Sequence, residues 1–384
     1  MSKVVIVRCD SYDEEKVYNA MKAGIGELGG IKSFVSPDEK ILVKPNFLYA
    51  ADADKALVTH PSVIKGMLRI LSENNCSSVK FGDSPGYGSC RSAVERIGLN
   101  PDNTFGATMA EMSEEVYVPF PEGKQAQGFY FTKDVVEADA IINLCKMKTH
   151  ALERITGAVK NLYGLVCGMR KAAGHVKYAN ASIFARALAD IHRCVKPRIH
   201  IMDGIVAMEG NGPSSGTPIS MNVMLFSADP VALDTVFCYL VDLKPELVPT
   251  NAQGYDMGIG TYLADEIELV LADAEGGESK VISRKELFEM LGNAGYDVLR
   301  EKSGKSFLSR YSRFMTKFAR RPVIDEKLCV KCGVCVGHCP VPGGAVTFKN
   351  GKGEIPVYDY KKCIRCYCCQ EMCPKHAIHV KGKS

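Results

Sequence analysis

Two cysteine runs near the end of the chain constrain its fold more than any other feature. Cys329, Cys332, Cys335, Cys339 and Pro340 read C-x2-C-x2-C-x3-C-P, and Cys363, Cys366, Cys369, Cys373 and Pro374 repeat the spacing 34 positions later. In runs of this kind three cysteines bind one [4Fe–4S] cluster and the fourth binds the other. The spacing therefore assigns Cys329, Cys332, Cys335 and Cys373 to cluster 1, and Cys363, Cys366, Cys369 and Cys339 to cluster 2. Each cluster then ties both halves of the segment together, so a short segment can fold with little apolar core. The competing readings are zinc, usually closed by separated Cys or Cys/His pairs, and disulfides, which need an oxidising compartment.

The residues after each run repeat too. Cys339-Pro340 leads to Ala345, Val346 and Phe348; Cys373-Pro374 leads to Ala377, Ile378 and Val380. Each half reads as a cluster loop and then a strand, with Asn350-Gly351 as a tight turn after the first. Over about residues 323–384 the segment resembles the two-cluster ferredoxin domain family. Cys368 is an extra thiol beside Cys369; it is expected to be a spectator, the alternative being a register shift that makes it a ligand.

The chain has 384 residues, enough for a large core besides this module. No apolar stretch reaches transmembrane length, and the start, MSKVVIVRCD, lacks a signal-peptide pattern. Cysteines 9, 76, 90, 145, 167, 194 and 238 are scattered without ligand spacing. A reducing cytoplasm suits them and the clusters. From residue 300 onward there are 18 Lys/Arg against 6 Asp/Glu, a charge of +12; the remainder has 30 against 38, or −8. A basic module on an acidic body suits docking onto that body, onto an acidic redox partner or onto an anionic surface. Nucleic acid is not expected, since no binding motif is present and the larger part is acidic.

In residues 1–299 short apolar strands alternate with amphipathic helices. Strands are expected at Val4–Val7, Ile41–Val43, Val79–Phe81, Ala140–Leu144, Ile199–Met202, Val223–Phe226 and Glu268–Leu271. Helices are expected at Glu14–Leu28, Ser62–Glu73, Arg91–Ile97, Ser182–Val195, Val231–Val241 and Arg284–Leu291. This pattern gives an α/β body with a mostly parallel sheet, plus a small C-terminal α+β domain of ferredoxin-like type with two [4Fe–4S] clusters. Ligands of such sheets sit at the carboxyl ends of the strands.

Polar motifs fall at those ends: Lys44-Pro45-Asn46, Gly82-Asp83-Ser84-Pro85-Gly86, Lys146 to His150, Asp203-Gly204 and Asp229-Pro230. The densest stretch runs from Lys146 to His175 and holds Lys146, Lys148, Thr149, His150, Lys160 and Asn161. Lysines, a hydroxyl and glycine-exposed amides suit a carboxylate or phosphate. The candidate ligand pocket is therefore Lys44, Asn46, Asp83, Ser84, Lys146, Thr149, Lys160 and Asn161. Lys148 and His150 are the catalytic candidates, with His60 a further proton-transfer candidate, because histidine changes charge near neutral pH.

Together with His60-Pro61, Thr156-Gly157, Gly210-Asn211-Gly212-Pro213 and Asp229-Pro230 with Asp234, these motifs resemble the family catalogued as domain of unknown function 362, over about residues 3–275. That family often carries a ferredoxin module. The resemblance transfers pocket positions, not catalytic roles. The body also resembles, faintly, the catalytic domain of nickel-pincer lactate racemases, and no nickel cofactor is carried over.

Residues 300–322 join the two parts. Phe307, Leu308, Tyr311, Phe314, Met315 and Phe318 recur at helical spacing opposite Arg310, Arg313, Lys317, Arg320 and Arg321, and Pro322 is expected to stop the helix. Such a helix clamps the module (323–384) to the body, or lies on an anionic membrane surface as a peripheral contact. The expected function is single-electron transfer through both clusters, between a low-potential redox protein and a partner or a ligand in the body's cleft. The alternatives are an iron–sulfur oxidoreductase acting on an anionic small molecule or a bound flavin, and a cluster-stabilised binding or assembly module.

Overall fold

The computed structural model describes residues 1–168, 170–178, 180–301 and 320–382. The body strands are β1 (Ser2–Arg8), β2 (Ile41–Lys44), β3 (Val79–Phe81), β4 (Thr108–Met109), β5 (Glu115–Pro119), β6 (Gly128–Thr132), β7 (Ala140–His150), β8 (Arg154–Thr156), β9 (Ile199–Glu209), β10 (Thr217–Ser227), β11 (Ile267–Ala272) and β12 (Lys280–Ile282). One sheet runs in the order β12-β11-β1-β10-β9-β7-β2-β3-β4, with β8 paired to the end of β7. The strands β9, β7, β2, β3 and β4 are mutually parallel, as are β1 and β11. β10 runs antiparallel between β1 and β9, and β12 is an antiparallel edge. The sheet is thus mixed and mostly parallel.

Helices cover both faces, and the longer ones start where the sequence supplies a cap. Asp13 accepts from the Lys16 N–H, and Asn180 from Ile183, so the helices Glu14–Glu27 and Ala181–Val195 begin there. Helix Pro61–Glu73 opens on His60, whose ring Nδ1 accepts from the Ser62 N–H, with proline in the first turn. It buries Val63, Ile64, Met67, Leu68 and Leu71, each worth roughly 1.5–3 kcal/mol on full burial. Gly66 faces Met21 so closely that a Cβ would lie 2.8 Å from its sulfur, which lets the first two helices pack together.

One strand differs from its expectation in a way that builds the site. β7 does not end at Leu144 but continues through Lys146-Met147-Lys148-Thr149-His150, and all 11 of its residues are buried. Charged residues hide the strand from a hydrophobicity pattern. They are tolerated because each finds acceptors inside the protein.

The C-terminal module holds two small antiparallel sheets, β13 (Arg321–Ile324) with β16 (Ile378–Lys381) and β14 (Val346–Thr347) with β15 (Val357–Tyr358). The internal repeat extends to the backbone. Lys331 and Arg365 have φ of 60° and 58°, and Gly333 and Tyr367 have 76° and 64°. Each left-handed pair turns the chain into a helical turn, Val334–Gly337 or Cys368–Glu371. The helix expected over 300–322 falls largely outside the described residues; Pro322 pairs with Val380 in β13.

Candidate functional site at the junction of body and module

The crossed cysteine set meets in space. Cys329, Cys332, Cys335 and Cys373 line one small hollow, walled by Ile324, Val334, Ala377 and Ile378. In the other half Tyr358 donates its hydroxyl to Cys369 Sγ at 3.2 Å. Backbone donors repeat as well: Ala345 N–H points at Cys339 Sγ (3.2 Å) and Ala377 N–H at Cys373 Sγ (3.3 Å). Thiolates in an apolar shell with N–H and O–H donors fit an iron–sulfur cluster, because those donors spread its negative charge and set its potential.

A second and larger cavity lies beyond the carboxyl ends of β2, β3 and β7. Its volume is about 100 Å³, against the ~10–15 Å³ needed by one water. Asn46 follows β2, Asp83 and Ser84 follow β3, Lys148 and His150 come from β7, and Lys160 and Asn161 from the helix Ala158–Asn161. The opposite wall is the module: His338, Cys368, Glu371 and Met372.

The floor is a chain of polar bonds. Lys44 lies beneath the lining, 3.0 Å from Asp83 Oδ1, and donates to Asn161 Oδ1 (3.0 Å) and the Pro45 carbonyl (2.7 Å). Asn46 donates to the same Asn161 oxygen, and Lys148 donates to Asn46 Oδ1 at 2.7 Å and to the Leu57 carbonyl at 2.8 Å. Asp83 also accepts from the Phe47 N–H at 2.6 Å. Two glycines allow this closeness. A Cβ on Gly164 would lie 2.0 Å from Asp83 Oδ1, and one on Gly157 would lie 2.0 Å from Asp234 Oδ1. Asp234 accepts from the Ala158 N–H and so fixes the start of the helix that carries Lys160.

Burial tunes the walls. It pulls the Lys148 ammonium down to about 7, with Lys160 and Lys146 adding repulsion. Lys171, held by Ser84 and the Val166 carbonyl, is lowered to about 8 for the same reason. His150 accepts at Nδ1 from the Leu152 and Glu153 N–H groups, so its proton sits on Nε2, 3.2 Å from Glu371 Oε1. Burial lowers the His150 pKa. Burial would raise Glu371, but His150, Lys160 and His175 outweigh it and hold that carboxylate at about 2. Lys160 has no hydrogen-bond or ion-pair partner among the described residues, and its ammonium lies over the Tyr163 ring.

Some expected positions lie elsewhere. Lys146 does not reach the cavity: Asp203 at 2.7 Å and the Tyr12 hydroxyl at 2.8 Å hold it inside the body. Thr149 faces away, as strand alternation requires, and accepts from the Gly212 N–H. His60 stacks on Tyr12 and caps a helix. Asp229 caps the helix Pro230–Leu240. Of the five polar turns, those after β2 and β3 and the end of β7 share the cavity, while Asp203 and Asp229 bind the framework.

The module is fixed to the body by the loop 210–215. Gln370 donates to the Asn211 carbonyl at 2.8 Å, and Asn211 donates to the Ile378 carbonyl at 3.0 Å. His376 lies 3.0 Å from Ser215 Oγ, and Met372 packs on Gly86. The module's share of the cavity was missed in the sequence. Its signals were an unexplained doublet, Cys368-Cys369, and an acid, Glu371, in a strongly basic segment.

Comparison with known proteins accords with this layout. Residues 41–239 match the model of the domain of unknown function DUF362, and residues 321–374 match the 4Fe-4S dicluster domain. The chain is 30% identical over 272 residues to thylakoid-associated protein sll1697 of Synechocystis sp., covering 69% of this chain and 82% of that one. Among solved structures it is similar to a Thermotoga maritima protein (TM-score 0.38, 12% identity, 58% of this chain and 57% of that one). It is also similar to the lactate racemase apoprotein of Thermoanaerobacterium thermosaccharolyticum (TM-score 0.38, 13% identity, 62% and 56%).

Proposed function

Since the chain belongs to the DUF362 family and carries a 4Fe-4S dicluster domain, with two [4Fe–4S] clusters and a redox partner implied, we propose that it passes electrons to a small anion held in the junction cavity. The observation that carries this reading is the shared wall. Cys368 and Glu371 line the cavity on the same helical turn as Cys369, one of the cysteines assigned to cluster 2. The clusters supply single electrons, drawn from a low-potential carrier protein.

The residues of the body do the rest. Lys160 attracts the anion with a free ammonium. Lys148, near its titration point at neutral pH, provides the protons that reduction consumes, and His150 Nε2–H is a hydrogen-bond donor on the wall. Lys44, Asn46, Asp83 and Asn161 keep the lysines in place, and Ser84 positions Lys171. The cavity has room for a small carboxylate or phosphate. A flavin's fused rings suit it less well. We place the reaction in a reducing cytoplasm. A peripheral membrane contact is a second reading, favoured by the Synechocystis relative's name; no helix among the described residues is long and apolar enough to cross a membrane.

Calorimetry with acetate and inorganic phosphate tests the anion site. One of them should bind, and Lys160→Ala should weaken it by roughly tenfold or more. Equal binding by the variant would sink the reading. The pH dependence has a fixed sign. Lys148 at about 7 and Lys171 at about 8 lose their charge as pH rises, and Glu153, raised to about 8 by burial, gains one. Lys160, Asp83, His150 and Glu371 complete the charged and titratable surroundings. Affinity should therefore be greatest below pH 7 and fall between about 7 and 8. Lys148→Ala should flatten the lower part of that fall. Anaerobically purified protein should also carry about eight iron and about eight acid-labile sulfide per chain; about four of each would remove one cluster.

A further inference from the structure

Cys368 is the cysteine that the cluster spacing leaves over. In the fold it is a cavity wall residue, sharing that space with Lys148, Lys160 and His175. Among the described residues it is the one thiol that lines the cavity. Other lining groups can bind or protonate a ligand. A thiol can bond covalently to a ligand sulfur and be freed again by electrons.

The cavity points to a ligand independently of this thiol. Thr156 Oγ1 and His175 Nδ1 belong to lining side chains at most 5% exposed and have no hydrogen-bond partner among the described residues. Native proteins pair such atoms with protein, water or ligand. Beside them stands the free Lys160 ammonium. The occupant that these groups suit is therefore anionic and hydrogen-bonding at one end, with the other end against Cys368.

We propose that Cys368 is the attacking thiol for a small anionic disulfide. This rests on the reading that electrons reach the cavity, and it names the substrate class. The acid group of R–S–S–R faces Lys160. The Cys368 sulfur attacks one substrate sulfur; a Cys368 S–S bond forms, the substrate S–S bond breaks, and the thiol proton leaves with the first R–SH. Two electrons and two protons then cleave the mixed disulfide, giving the Cys368 thiol and the second R–SH. The electrons come from a reduced low-potential one-electron carrier, and two single-electron centres match a bond whose cleavage needs a pair. Lys148 stands where the protons are needed.

The test uses holoprotein and two probes of opposite charge, dithiodiglycolate and cystamine. With oxidised holoprotein, peptide mass mapping should find a thioglycolyl adduct on Cys368. It should form roughly tenfold faster than the cystamine adduct, because Lys148, Lys160 and Lys171 outnumber Asp83 and Glu371 on the wall. The dithionite-reduced, desalted protein should release that group as thioglycolate. Its clusters should be reoxidised by dithiodiglycolate on the order of a hundredfold faster than those of Cys368→Ser, while methyl viologen reoxidises both proteins alike. Iron content should be equal in the two. Adduct mapping on the unaltered protein stands even if the variant loses a cluster. No adduct on Cys368, or reoxidation of Cys368→Ser by the disulfide at the unaltered rate, overturns the role of the thiol alone. An adduct that the reduced protein does not release overturns the reduction step together with electron delivery to the cavity.

Discussion

In a Cys373→Ala protein the cluster lost should be the one built mainly from the other run. Cys373 lines the same hollow as Cys329, Cys332 and Cys335, so removing it opens that site and leaves Cys363, Cys366, Cys369 and Cys339 complete. Iron should fall to about four per chain. The remaining paramagnetic signal should match that of Cys332→Ala and differ from that of Cys366→Ala. If Cys373→Ala instead resembles Cys366→Ala, the ligands are not crossed. The effect should extend beyond the cluster. Metal binding in such small modules is folding free energy, and Cys373 joins the helical turn Cys368–Glu371 to β16. Its loss should loosen the roof of the cavity and weaken anion binding at the same time.

Lys44→Met should destabilise the body by about 3–5 kcal/mol, because it leaves a buried carboxylate without its cation. Lys44 is fully buried and Asp83 is 2% exposed. Lys44 also satisfies Asn161 and the Pro45 carbonyl, so the floor of the cavity loses three partners at once. Burial pulls the Lys44 pKa down and Asp83 pushes it back up. Asp83→Asn removes the stranded charge and keeps an acceptor for the Phe47 N–H. The pair Lys44→Met/Asp83→Asn should therefore recover a large part of the loss, which chemical denaturation of the single and double variants would show. Equal losses in Lys44→Met and the double variant would mean that the ion pair is not what holds the floor.

The parts of this architecture that were legible in the sequence are those written in local rules. Strand Ile41–Lys44 and helix Pro61–Glu73 arise from apolar periodicity and a proline start. The cluster loops arise from spacing alone. The second half of β7 does not, because its strand pattern is carried by Lys146, Lys148 and His150, whose burial depends on Asp203, Asn46 and backbone carbonyls far away in the chain. For the same reason sequence could gather Lys146 with Lys148 but could not say that only Lys148 faces the cavity. β10, the antiparallel strand amid mostly parallel neighbours, is set by its pairing with β1 and β9, not by its own residues. The most consequential gap was Cys368. Beside a ligand it looked redundant; only the docking of Gln370 and Met372 against the loops 210–215 and 82–86 shows that it faces the body.

The central claim is that electrons reach a ligand between the two parts, and one measurement tests it most directly. The dithionite-reduced holoprotein is titrated with the anion that calorimetry shows to bind, and the electron paramagnetic resonance spectrum is recorded at each step. The signal missing in Cys366→Ala belongs to cluster 2, whose assigned ligands Cys366 and Cys369 flank the cavity-lining Cys368. That signal should shift as the anion saturates, the signal missing in Cys373→Ala should hold still, and Lys160→Ala should abolish the shift at the same anion concentration. If neither signal moves at saturation, the cavity and the clusters do not communicate, and the account is contradicted.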